Sequence, residues 1–64
     1  MELKEILALM AKKYPTNYME GQNPALLIYD DESGRISNDA TRPYDSTLFD
    51  FSSIEELVAH LQGE

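Results

Sequence analysis

The chain has no cysteine, no tryptophan and a single histidine. Without thiols there is no disulfide, no thiolate zinc site and no cysteine nucleophile. One imidazole cannot assemble the usual nitrogen and sulfur spacings of a zinc site. Glycines at 21, 34 and 63 are too few and too scattered for a phosphate-binding loop, and neither a nucleophile elbow nor an H-E-x-x-H motif occurs. No cofactor is expected. Long apolar runs are also missing. The longest, Ala25-Leu26-Leu27-Ile28-Tyr29, falls far short of the ~20 residues needed to span a bilayer. Bases are scarce: 5 Lys and Arg stand against 12 Asp and Glu, a formal charge of −7. Most of the surface would repel phosphate, which disfavours direct binding to nucleic acid.

What is present suits one small domain. The 64 residues are 42% hydrophobic, enough for a single core. A domain of this size buries only about 60% of the surface its unfolded chain exposes, so its stability is expected to be marginal. High net charge favours disorder, but the apolar residues fall into periodic segments, which favours an ordered fold. The N-terminal Met1-Glu2-Leu3-Lys4-Glu5 lacks the basic end and long apolar stretch of a signal peptide. No N-x-S/T acceptor occurs either, so the expected location is the cytoplasm. Opening on Met1, the chain is expected to be a complete small reading frame, of the acidic kind found in phages and mobile elements.

The segments predict an α-β-β-β-α order. Leu3, Ile6, Leu7, Met10 and Tyr14 form one stripe at helical spacing from Glu2 to about Lys13, with Glu2 and Glu5 in the first turn and Lys12 and Lys13 in the last. Pro15 ends that helix. Residues 16–24 read as a loop carrying Tyr18 and Met19. Ala25–Tyr29 is apolar in both alternating sets, which predicts a central strand covered on both faces or one whose outer face meets a partner. Asp30-Asp31-Glu32-Ser33-Gly34 reads as a hairpin turn in which Gly34 takes positive φ. A short strand at 35–38 and a third at Tyr44–Phe51 follow, the latter with Thr47, Phe49 and Phe51 on one face and Asp45 and Asp50 on the other. Ser52-Ser53-Ile54-Glu55 predicts a capping box with Ser52 as N-cap, opening a helix whose stripe is Ile54, Leu57, Val58 and Leu61. The expected fold is α+β, with two helices on one face of a short, mostly antiparallel sheet. Its expected core joins Leu3, Ile6, Leu7 and Met10 to Leu27, Phe49, Phe51, Ile54, Leu57, Val58 and Leu61.

Three groups of residues could carry chemistry. His60 lies beside the apolar stripe, one turn after Glu56. A general base oriented by Glu56 is one reading, and an exposed i,i+4 pair on the helix surface is the expected one. The Asp30–Glu32 turn invites a calcium reading. Aligning Gly34 with the glycine of an EF-hand loop places Tyr29 and Ala40 where carboxylates are required, leaving at most a weak cation site. Asp45 and Asp50 resemble a glycosidase pair, though so small a chain leaves little room for a sugar cleft.

Charge is the remaining signal. The first twenty residues are neutral overall, and all of the net charge lies from residue 21 onward. Asp30, Asp31, Glu32, Asp45, Asp50, Glu55 and Glu56 fall on no core stripe and are expected to be exposed. The sequence therefore points to a non-enzymatic interaction or regulatory module meeting a basic protein partner. A narrower alternative is a nucleic-acid mimic that inhibits a DNA- or RNA-binding protein. A small enzyme or cation-binding protein using His60 or the Asp30–Glu32 turn is the alternative from another class, and a surface serving only solubility is the bland one. The two-sided apolar strand, Tyr18, Met19 and the small core also suggest a homodimer.

Overall fold

The computed structural model describes residues 2–63 and has the expected order of elements. Helix α1 spans Leu3–Lys13, strands β1, β2 and β3 span Ala25–Ile28, Gly34–Ser37 and Thr47–Phe51, and helix α2 spans Ile54–Leu61. A single turn of tighter helix at Tyr18–Glu20 interrupts the first loop and ends at Gly21 in the left-handed conformation. The strands form one antiparallel sheet in the order β1-β2-β3, and both helices lie against one face of it. Among the described residues no helix is long and apolar enough to cross a membrane.

The sheet order removes one of the two readings of the first strand, that it is central. The apolar segment 25–28 lies at an edge, and the middle strand is β2, whose one large apolar residue is Ile36. Register explains why this suffices. Leu26, Ile36 and Phe49 stand side by side across the sheet, with Ile28, Gly34 and Phe51 in the next row. Ile36 is fully buried, and Ile6, Met10, Phe51, Leu57 and Leu61 close over it. Gly34 is needed for close approach, not for positive φ: a Cβ there would collide with the Leu27 carbonyl oxygen and lie 2.8 Å from the Phe51 ring. The left-handed residue of the hairpin is Glu32, at φ 68°. Tyr29 accepts at its carbonyl from the Glu32 N–H, and the Tyr29 N–H donates to the Ser33 carbonyl. This is the three-residue loop in which a turn is followed by a left-handed position.

Further corrections follow from packing. Leu3 and Leu7 are 57% and 47% exposed, while Leu9 packs against the core with Ile6 and Met10. The buried stripe of α1 is therefore rotated away from Leu3 and Leu7. Leu27 belongs to the face opposite the helices and is not in the core, whereas Leu26 and Ile36 are. Strand β3 begins at Thr47, because residues 42–45 turn back on themselves with Asp45 N–H donating to the Arg42 carbonyl. A bulge then opposes Thr47 and Leu48 to Ser37 alone. The extra residue reverses the alternation, so Thr47 lies on the face of Arg35 and accepts a 3.0 Å hydrogen bond from it, not beside Phe49.

Helix α2 starts one residue later than predicted. Ser53 is its N-cap, accepting from the Glu56 N–H at 3.2 Å, while the Glu56 carboxylate accepts from the Ser52 N–H. The motif is a variant of the capping box shifted by one position: one amide of the first turn is satisfied by Ser53, and the amide of the residue before the cap by Glu56. Ser53→Ala is expected to cost about 1 kcal/mol and Ser52→Ala much less, measured by thermal or denaturant unfolding. The opposite ranking would place the cap at Ser52. Gly34→Ala is expected to lower stability by about 3 kcal/mol, because backbone must move to admit the methyl. Glu32→Gly is expected to raise it by about 1 kcal/mol by relieving the left-handed strain. Equal melting of all three chains would contradict the hairpin geometry.

Candidate functional site

The hairpin places most of the sequence-predicted acids together. Because Ile28 and Phe51 both pair with or flank Gly34, the 29–33 turn and the β3–α2 junction share one end of the sheet. Asp30, Asp31, Glu32, Glu55 and Glu56 occupy that end, and Asp50 lies one position in from it on the outer face. All six are exposed. Asp45 is exposed too but lies in the 42–45 turn at the opposite end, so Asp45 and Asp50 do not form a carboxylate pair.

Little neutralises the acidic end. Among the described residues the single ion pair is Arg35 Nε to Asp50 Oδ1 at 3.8 Å, with Asp50 largely in solvent. Such a pair contributes little to stability. The Arg35 guanidinium also lies over the Tyr44 ring, 5.4 Å from its centre, so its charge is directed along the outer face and away from the turn. The Asp31 carboxylate accepts from the hydroxyl and the N–H of Ser33, which holds its carboxyl below the ordinary range. Asp31 therefore stays charged at lower pH than an ordinary aspartate. Glu56 is held at the helix cap. Among the described residues no three His, Asp or Glu side chains converge as a metal site requires.

The opposite end differs in charge. Lys13 shares a shallow cavity with Pro24 and Asn38, Asn23 bridges to Asp39, and Arg42 donates its N–H to the Asp39 carbonyl. Lys12, Lys13 and Arg42 there are balanced by Glu20, Asp39 and Asp45. The Asp39 carboxyl is held low by Thr41, whose hydroxyl and N–H both donate to it, and by the nearby Arg42. Tyr18 and Met19 project from the same end, and Met19 is 99% exposed. The molecule is thus an electric dipole lying along its strands.

His60 is placed differently from either sequence reading. Its ring is stacked flat on Phe49, with centres 3.7 Å apart, and the Tyr14 hydroxyl lies 2.6 Å from Nε2. The two groups share a hydrogen bond whose donor is set by the tautomer of the ring. Glu56, engaged at the helix cap, is no partner to it. The Tyr14–His60–Phe49 stack ties the end of α1 to α2 and β3, and sequence reasoning missed it. Each residue is visible on its own stripe, but nothing local links positions 46 residues apart. Comparison with protein-family models, curated proteins and solved structures finds no match to this chain.

Burial, and secondarily the charge of Lys13, lowers the His60 pKa below the ordinary 6.5. A histidine whose folded pKa is depressed binds its proton more readily when unfolded. Its stabilising contribution is therefore complete above the unfolded value and is lost as pH falls through the folded one. The melting temperature is expected to drop on acidification from pH 7 toward 5, before the carboxylates titrate. His60→Phe, which keeps the stack, is expected to flatten that part of the profile. An unchanged slope in the variant would exclude His60 as its source.

Proposed function

We propose that this chain is a non-enzymatic protein–protein interaction module whose acidic end engages a basic partner. The observation carrying this reading is the gathering of five exposed carboxylates at one end of the sheet, with Asp50, paired to Arg35, one position in and the Arg35 guanidinium directed away from the turn. Charges so concentrated raise the rate of encounter with an oppositely charged surface and fix its orientation. The exposed side chains of Tyr18, Met19 and Tyr44 add apolar surface of the kind that interfaces bury. The enclosure of His60 between Tyr14 and Phe49 supports a structural role for its ring.

The test is affinity capture from cell extract with the parent chain and with a variant carrying Asp30→Asn, Asp31→Asn and Glu32→Gln. Melting temperatures are expected to agree closely, since exposed charges contribute little to stability. Capture of basic proteins is expected to fall about tenfold in the variant at low salt, with the difference narrowing as salt screens the field. Equal capture at low salt would leave this surface with a solubilising role only. Displacement of a captured partner by added DNA would mark the partner as a nucleic-acid-binding protein and the acidic end as a nucleic-acid mimic.

A further inference from the structure

Strand β1 leaves a hydrogen-bonding edge open. The Tyr29 N–H donates to the Ser33 carbonyl, so the alternation of an antiparallel ladder turns Leu27 and Ala25 toward β2 and Leu26 and Ile28 outward. Among the described residues, no loop or helix backbone bonds to Leu26 or Ile28 on that outer side. The devices that usually blunt an edge are absent from this window, which holds no charge, bulge or proline. Its limits are sharp. Asn17 pairs with Gln22 and closes the edge before it, and Pro24 has no N–H to offer. The outer edge of β3, in contrast, carries the Leu48 bulge and the Asp50 carboxylate.

We propose that a second copy of this chain docks on the free edge of β1, antiparallel and centred on Leu27, joining the two sheets into one. Three observations select this occupant. First, the open edge is self-complementary. With Leu27 facing Leu27, Leu26 of each copy meets Ile28 of the other, and all four outward amides and carbonyls find partners. Pro24, with a carbonyl but no donor, falls opposite Asp30, whose N–H is free to donate to it. Second, antiparallel docking sets the acidic 30–32 turn of one copy beside the Pro24 end of the other, which carries no net charge because Glu20, Asp39 and Asp45 balance its Lys12, Lys13 and Arg42. Like charges are thereby kept apart despite a net charge of −7 on each chain. Third, the flank beside this edge is apolar. Ile28 points to the helix side of the sheet yet is 42% exposed, and Leu7 of α1 shares a shallow cavity with Pro24. Leu3 and Leu7, left in solvent in the single chain, would face their counterparts across the two-fold axis on the same side of the continuous sheet. The β1 edge makes this interface, with the 30–32 turn only at its rim, so the proposal does not depend on the partner reading above.

Sedimentation and amide exchange test it together. The parent chain is expected to show about twice its 7.3 kDa at high micromolar concentration and to approach 7.3 kDa on dilution. The amides of Leu26 and Ile28 are expected to be protected in the concentrated sample and lose protection on dilution, while that of Leu27 stays protected in both. Ile28→Lys, which places an ammonium group on the edge, is expected to give the single-chain mass with the helical circular dichroism retained. If that variant does not fold, the parent's exchange pattern alone decides. A mass of 7.3 kDa at every concentration overturns the proposal and leaves the edge to a strand of another protein. So does a doubled mass in which the Leu26 and Ile28 amides exchange as freely as they do after dilution.

Discussion

Both layers of the protein close on the side chain of Ile36. It is the one large apolar residue of the middle strand, it is fully excluded from solvent, and it is flanked in register by Leu26 and Phe49. Burying such a side chain contributes about 2–3 kcal/mol, a large share of the net stability of so small a domain. The rest of β2 serves this one contact. Gly34 keeps the space that Phe51 fills, and the buried Ser37 hydroxyl donates to the Asp39 carbonyl and accepts from its N–H, so that this hydroxyl is not left orphaned by burial.

A core centred on one residue limits what it can cover. Ile6, Met10, Leu57 and Leu61 complete it, while Leu3, Leu7, Ile28 and Leu48 are left partly in solvent. The surplus falls beside the free edge of β1 and at the β3 bulge, and the charges collect at the ends of the strands. The same economy that puts Ile36 in the middle thus puts an apolar strand at an edge, where its uncovered backbone and side chains face outward. Fold and surface follow from a single choice of strand order.

Much of this was legible in the chain. The α-β-β-β-α order, the antiparallel hairpins and the helix stripes of α2 follow from periodicity and turn residues, which act over a few positions. The errors share a cause. Strand order, the burial of Leu9 in place of Leu3 and Leu7, and the His60 stack each depend on residues far apart in sequence. The displaced cap has a local origin: both Ser52-x-x-Glu55 and Ser53-x-x-Glu56 satisfy the same motif, and the end of β3 at Phe51 selects the second. Of the acids, exposure was readable from the stripes, but the separation of Asp45 from the other six was not, because the turn at 42–45 shortens β3.

The position of β2 can be measured directly from contacts between backbone α-hydrogens in a nuclear Overhauser spectrum. Residues opposed at non-hydrogen-bonded positions of an antiparallel ladder bring these hydrogens closest. The account predicts strong cross-peaks between Leu26 and Ile36 and between Arg35 and Asp50, and none joining residues 25–28 to residues 47–51. Cross-peaks between those last two segments would place β1 in the middle of the sheet. The open edge, and the common end shared by the acids, would then not exist.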